Sequence, residues 1–301
     1  MISVVMTVFK ERWQWIEEAL VSLVDQTYKN IQLIIIVDNP DFVNVDRINS
    51  ILKGLNYKIK IHSENMGLVY SLNEGVEMAD GSYIARMDSD DISESSRLER
   101  ELRFLTKFNL DFVSTSVTNI DSKKCTIKSI RLKKDIMLKD IVKVEEYQNI
   151  FWHPTWLMKK EVFLKLKGYR EVDYTEDYDF IARSLLEGFK LGQLAEPLLK
   201  KRINEMSISE SNGLVQLLIA NKISKSIRKN RLFKYNKRDF MVSSRMNYNF
   251  NKIRSGFNAR EEMKFTQKIG LALKMIFTRT GIMFMRSVLI QKYQLKLLGL
   301  I

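Results

Sequence analysis

Residues 83–91 read YIARMDSDD: an apolar run, Tyr83 to Met87, that stops at Asp88-Ser89-Asp90-Asp91. The run has the composition of a buried strand, and the acids follow directly at its carboxyl end. Three carboxylates within four residues repel one another unless something positive neutralises them. Hard divalent cations prefer oxygen ligands, and Mg²⁺ commonly combines one or two carboxylates with substrate phosphates. The same residues also suit an acidic loop that caps the next helix, where Asp and Ser are common.

Outward from this stretch the chain alternates between two hydrophobic periods. Ile2–Phe9 and Ile31–Val37 are continuous apolar runs rich in β-branched residues, and the second stops at Asp38-Asn39-Pro40. Trp13–Val24 carries apolar residues at helical spacing. Ile48–Leu52 reads as a short helix, Lys58–Ile61 as a strand and Gly67–Ala79 as a helix. Beyond the acids, a helix is expected over Ser96–Phe108, with Ser95 or Ser96 as its cap, and a strand over Asp111–Val117. The lysine-rich stretch 118–150 shows no clear period and is expected to hold irregular or short strand structure. A helix is expected over Tyr178–Glu187, with Thr175 as its cap and Glu176, Asp177 and Asp179 in or near its first turn. Strands alternating with helices predict an α/β fold with right-handed crossovers and a mostly parallel sheet. The ligand of such a sheet lies beyond the carboxyl ends of its strands, where these polar clusters fall.

Charge divides the chain of 301 residues. Residues 213–301 hold 19 of the 49 basic residues and 3 of the 36 acidic ones, a net of +16, whereas residues 1–212 are slightly acidic at −3. The expected organisation is an ordinary, slightly acidic domain over 1–212 and a basic helical region over 213–301. At 45% apolar and 28% charged, with 3 prolines, the chain is neither disordered nor of low complexity. One cysteine, Cys125, and two histidines, His62 and His153, exclude a disulfide framework and a zinc site built from such ligands. The opening MISVVMTVFKERWQW lacks a basic segment followed by an apolar one, so no signal peptide and a cytoplasmic location are expected.

The remaining polar groups each carry two readings. Asp38-Asn39 either hydrogen-bonds a nucleoside or ends its strand in a turn. Asn65-x-Gly67 either seats an anion at a helix N-terminus or forms a simple turn. The helix dipole favours the ionised carboxylates of Glu176-Asp177-Tyr178-Asp179, and an ionised Asp there suits a general base toward an acceptor hydroxyl, or simply caps a helix start. His153-Pro154-Thr155 is either a substrate loop or a turn. Neither a P-loop nor a GxGxxG motif is present.

Taken in order, these residues resemble the family 2 glycosyltransferases, collinearly over about residues 1–210. The resemblance rests on Val4–Phe9, Gln26-Thr27-Tyr28 before Ile34–Asp38, Asn65-Met66-Gly67-Leu68 with Asn73 and Gly75, and Gly81–Asp91. It continues through His153-Pro154-Thr155, Gly168-Tyr169-Arg170 and Glu176-Asp177-Tyr178-Asp179. It implies a GT-A nucleotide-diphospho-sugar transferase fold and an inverting transfer of sugar from a nucleotide-sugar, a UDP-sugar above all, to an acceptor hydroxyl. Thr7, Phe9, Asp38, Asn39, Asn65 and Gly67 would line the donor pocket. Asp88 and Asp90 would form the DxD motif and hold Mn²⁺ or Mg²⁺ on the diphosphate, and Asp91 would support that loop or face the sugar. Arg202 would contact phosphate, Asp177 would be the catalytic base, and Glu176 would orient the acceptor or shape the site. Two positions depart from the family pattern: Asn39 stands where a second Asp is common, and Asn204 where His is common.

From Met263 onward there are seven cations, Lys264, Lys268, Lys274, Arg279, Arg286, Lys292 and Lys296, and no acid. On a single helix they would oppose Ile269, Leu273, Ile276, Phe277, Met283, Phe284 and Val288. Such a basic amphipathic helix suits an anionic membrane surface, or it packs on the catalytic domain. A peripheral place on the inner face of the cell membrane and a polyprenyl-linked glycan acceptor follow by analogy with such relatives. Two alternative functions stand beside this one, nucleic-acid binding through the +16 tail and a non-catalytic sugar-nucleotide-binding relative; the basic segment carries no recognition motif, so nucleic acid is not expected as a partner.

Overall fold

The computed structural model describes residues 1–203, 212–258 and 264–300; Asn204, singled out above, lies outside the described residues. Strands β1 (Ile2–Val8) and β2 (Ile31–Val37) are buried along nearly their whole length, as apolar β-branched runs require when helices cover both faces of a sheet. Helix α1 (Trp13–Val24) joins them, and α2 (Val45–Ile51) leads to β3 (Asn56–Ile61). Helix α3 (Leu68–Glu77) returns to β4 (Tyr83–Asp88). There follow β5 (Ile92–Ser93), α4 (Arg97–Lys107), β6 (Phe112–Ile120), β7 (Thr126–Ile130), β8 (Ile136–Met137) and α5 (Leu138–Glu145). The α/β part closes with β9 (Leu157–Lys159), α6 (Lys160–Leu166), α7 (Glu176–Leu186) and β10 (Leu191–Arg202).

One sheet runs in the order β3-β2-β1-β4-β9-β6-β10-β5, with β7 against β6 and β8 against β10. Strands β1 to β4 are parallel, as the crossovers require. Strand β9 is antiparallel to both β4 and β6, which leaves β4, β6 and β10 parallel to one another. The carboxyl ends of β1, β2, β4 and β10 therefore share one edge, and the register sets Thr7 of β1 directly beside Asp88 of β4. Gly75 lets α3 lie close on β1, because a Cβ there would stand 2.5 Å from a Val5 methyl.

Two local expectations need correction. Residues 118–150 hold the short strands expected but also α5, whose eight residues are too few to show a period amid flanking lysines. Helix α7 begins at Glu176, two residues earlier than expected, so both Glu176 and Asp177 sit in its first turn; Thr175 holds the cap position without a side-chain capping bond. Ser96 likewise precedes α4 without such a bond.

Asp38, at the end of β2, is buried. It accepts hydrogen bonds from the Met66 and Gly67 N–H groups at 2.7 and 2.8 Å, and it lies 2.7 Å from His62 Nδ1. His62 Nε2 in turn lies 2.6 Å from Glu74. Burial alone would depress the imidazole, but the bonds to Asp38 and Glu74 outweigh it and raise its pKa above 6.5. A raised folded-state value means that the stabilisation is fully present below about pH 6.5 and is lost as pH rises through the folded value. Melting temperature is expected to fall as buffer moves from mildly acidic to alkaline. His62→Gln should flatten that slope, and an unchanged slope would remove His62 as its source.

After residue 212 come α8 (Gly213–Arg228), α9 (Ser244–Asn258), α10 (Phe265–Phe277) and α11 (Arg279–Leu297). Helix α8 packs on α7 and the segment before it, through Ile219, Ile223 and Ile227 against Tyr178, Ala182 and Val172. The chain end returns to the sheet's own core, where Leu300 is buried with Trp156 and Phe180. The single amphipathic helix expected from Met263 is instead two helices, broken at Thr278, whose backbone is extended and whose hydroxyl accepts from the Gly281 N–H at 3.0 Å. The break divides the expected apolar face. Phe284, with Met283 and Val288, packs inward on Phe250 and Ile253, while Ile269, Leu273, Ile276 and Phe277 stay exposed. Among the described residues no helix is long and apolar enough to cross a membrane.

Candidate active site

Strand β4 carries the central cation and the first acid of the site. Side chains alternate along a strand, so Arg86 and Asp88 share a face, and the buried Arg86 guanidinium ion-pairs with Asp88. Beyond the strand, Asp88, Asp90 and Asp91 bring carboxylate oxygens within 4.8 Å of one another. Asp91 is buried; one oxygen accepts from the Arg202 N–H at 2.8 Å, and the other has no hydrogen-bond partner. Burial first, and the neighbouring Asp88 second, push Asp90 up to about 6; burial also holds Asp91 well above the usual carboxylate range. Glu11 adds another carboxylate beside Asp88 and Ser89, and burial raises it as well.

Opposite stand Glu176 and Asp177. The dipole of α7 favours their charged forms, yet burial outweighs it and pushes Asp177 up to about 6 and Glu176 to about 8. Asp177 Oδ1 accepts from the Tyr178 N–H at 2.7 Å and Oδ2 from Asn149 Nδ2 at 3.1 Å. Burial raises both members of this pair, so the two carboxyls hold a proton more readily than exposed acids do. Lys201, next to the end of β10, faces Asp91, Asp88 and Asp90; burial would lower its pKa, but the three acids outweigh that and raise it. Among the described residues the acids facing this edge outnumber Arg86 and Lys201. That surplus of hard oxygen donors, with the unpartnered Asp91 oxygen, fits a divalent cation at Asp88, Asp90 and Asp91.

Other expected site residues are placed differently. The anion at the N-terminus of α3 is Asp38 itself: its carboxylate is spent on Met66, Gly67 and His62 rather than turned to a ligand, and Gly67 turns the chain there at φ 89°. Asn39 bonds the Phe9 carbonyl at 2.9 Å and the Asp41 N–H at 3.1 Å, which is the strand-ending turn. Asn65 is exposed, Thr7 half-buried, and Phe9 open at the rim beneath the Lys10 ammonium. Arg202 is corrected from phosphate contact to buttress. It is buried over the Trp15 ring, donates to Glu18 at 2.7 Å and to the Asp90 carbonyl at 2.9 Å, and so braces the acidic loop from behind. His153-Pro154-Thr155 is a buried turn, with His153 2.8 Å from the Tyr169 hydroxyl and held neutral mainly by burial.

Several motif residues are structural. Gln26 ties the segment after the acids to α1 through Ser93, Glu94 and Leu98, and Asn73 clasps the Tyr169 backbone with both ends of its amide. Asn149, Glu11 and Lys201 had no assigned role in the sequence reading. Arg86 did leave a signal there: an arginine inside an apolar strand needs a carboxylate partner nearby. Because Arg86 lowers the pKa of Asp177, Arg86→Gln should shift the acid limb of the rate profile to higher pH. An unshifted limb in the pH dependence of kcat would show that the two do not interact.

Residues 3–166 match the family model described as Glycosyl transferase family 2. The chain is similar to the O-antigen biosynthesis glycosyltransferase WbnJ of Escherichia coli, 33% identical over 214 residues that cover 70% of this chain and 83% of WbnJ. It is also similar to the amylovoran biosynthesis glycosyltransferase AmsE of Erwinia amylovora, 25% identical over 217 residues covering 71% and 80% of the two chains. Among solved structures, S. aureus TarS in complex with UDP-GlcNAc superposes with a TM-score of 0.62 at 13% identity, over 91% of this chain and 79% of that one, which establishes a shared GT-A fold. An α/β sheet with acids gathered at its carboxyl edge, and a family match across more than half the chain, lead to one conclusion: the protein is a glycosyltransferase that belongs to glycosyl transferase family 2.

Proposed function

We propose that the protein is an inverting transferase that moves a sugar from a UDP-sugar to a hydroxyl of a lipid-linked glycan during bacterial surface-polysaccharide assembly. The observation that carries this reading is the pairing of two acidic groups across Arg86: the Asp88–Asp91 cluster, suited to the diphosphate side, and Asp177, poised to take a proton. The UDP-GlcNAc complex of TarS supports the donor class, and the polysaccharide relatives support the pathway. Residues 1–212 would form the catalytic unit, and 213–301 would seat it on the inner face of the membrane.

In this reading Asp177 accepts the proton of the acceptor hydroxyl. The hydroxyl oxygen then bonds to the anomeric carbon as the bond to the diphosphate oxygen breaks on the opposite face. Asn149 holds the base in place, and protonated Glu176 donates a hydrogen bond to the acceptor. Asp88, Asp90 and Asp91 would hold Mn²⁺ or Mg²⁺, which offsets charge on the departing diphosphate.

A thermal-shift screen of UDP-, GDP- and dTDP-sugars with and without Mn²⁺ tests the donor. A UDP-sugar should raise the melting temperature only with metal. Asp90→Ala should abolish that shift; a shift that survives in Asp90→Ala would remove the metal assignment, and no shift with any nucleotide-sugar would remove the donor reading.

A further inference from the structure

A second concave site lies at the seam between the catalytic part and the tail, in a pocket of about 410 Å³ between α8 and α11. Its lining includes Tyr147, Ser224, Arg228, Met283, Arg286 and Ile290, and no acid among the lining residues. The Arg228 guanidinium stacks over the Tyr147 ring at 5.0 Å and donates to the Glu146 carbonyl, so it is held in place. Arg286 is exposed and makes no hydrogen bond or ion pair among the described residues. Two guanidinium groups facing one pocket are donors suited to phosphate oxygens, while the Ser224 hydroxyl donates to the Asn221 carbonyl at 3.1 Å. The apolar Met283 and Ile290 on the same wall are of no use to a free phosphate.

An exposed apolar stripe runs along the same side of α11 as Arg286. At 100° per residue, Ile282, Leu289, Tyr293 and Leu297 lie within about 60° of Arg286 on α11. All four are exposed, Leu289 and Leu297 to 66% and 65%. Helix α10 adds Ile269, Leu273, Ile276 and Phe277, the last 77% exposed. Apolar surface of this extent, among cations and without a single acid from Met263 onward, is matched by an anionic amphiphile rather than by water. The pocket also borders the transfer site by chain connection: the loop that supplies Tyr147 supplies Asn149, which holds Asp177.

We propose that this pocket binds the phosphate group of a polyprenyl phosphate-linked substrate, with the lipid chain lying along the α11 stripe. The proposal rests on the lipid-linked acceptor reading above and locates that acceptor's phosphate. Arg286 and Arg228 grip the phosphate, and the glycan beyond it extends past the 145–149 loop toward Asp177.

The test is flotation of the full chain with phosphatidylcholine vesicles that carry a polyprenyl phosphate, or the same mole fraction of phosphatidylglycerol, or neither. The wild type should prefer the polyprenyl phosphate, and inorganic pyrophosphate should compete. Arg286→Glu should weaken that binding about ten- to a hundredfold, the loss expected of one charge-assisted hydrogen bond. Leu289→Asp, on the exposed stripe, should weaken it too. Both should keep the metal-dependent nucleotide-sugar thermal shift of the wild type. Equal binding to phosphatidylglycerol, or an Arg286→Glu protein that binds like wild type, overturns the pocket. Lost lipid preference with an intact donor shift refutes this inference alone. An absent donor shift with lipid preference retained refutes the metal-dependent donor reading and leaves the pocket standing.

Discussion

Asp177→Asn is expected to slow sugar transfer by about 10²–10⁴-fold, the usual contribution of a positioned general base. The substitution keeps the side chain's shape and its bond from the Tyr178 N–H, so the start of α7 should survive. In the proposed mechanism the donor binds on the Asp88–Asp91 side, so its binding should change little, which places the loss in kcat rather than in donor affinity. The wild-type rate should also fall as pH drops through about 6, where Asp177 takes up a proton. The asparagine variant should lose that limb together with its activity. Transfer assays across pH, paired with donor thermal shifts, give both readouts; turnover at the wild-type rate would strike Asp177 from the mechanism.

The largest expected effect on stability lies one helical step away. Asp179 is fully buried and holds two arginines, Arg170 through Nε at 3.0 Å and Arg183 through Nε at 2.8 Å. Arg183 also donates to the Leu166 and Gly168 carbonyls, and Arg170 to that of Phe233, so one carboxylate ties α7 to α6 and to the tail. Asp179→Ala leaves buried guanidinium charge without its counterion. A destabilisation of about 3–5 kcal/mol is expected, equivalent to a melting-temperature drop of roughly 6–20 °C for a domain of this order of size. A drop within the scatter of surface variants would show that the arginines find water or other partners instead.

Much of the donor side was legible in residue order. Ile2–Val8, Ile31–Val37 and Tyr83–Asp88 are strands because buried parallel strands need continuous apolar runs, and an acid placed directly after such a run lands at the ligand edge by geometry alone. Asp88, Asp90, Asp91, Glu176 and Asp177 could therefore be named as candidates from the chain. Asn149 could not, because it lies in a stretch without periodicity, and its value comes only from standing 3.1 Å from Asp177. Lys201 carried no such signal, since only the fold brings it to Asp88, Asp90 and Asp91.

The same residue types proved interchangeable on paper and distinct in space. Asp38, Arg202 and Asn39 have the chemistry of ligand contacts, but each is spent on the protein's own loop, strand end or carboxylate. Sequence specifies which donors and acceptors exist. It does not say which of them folding consumes, since a buried polar group takes whatever partner the packing brings.

Local order therefore determined the fold class, the acidic edge and the cationic tail, because these follow from short-range apolar period and charge composition. Tertiary structure alone decided the rest: which acids face one another across Arg86, that Arg202 braces from behind, and that the tail's apolar residues divide at Thr278. Those outcomes depend on which distant segments share a burial site, and burial is a property of the assembled sheet and helices rather than of any segment within them.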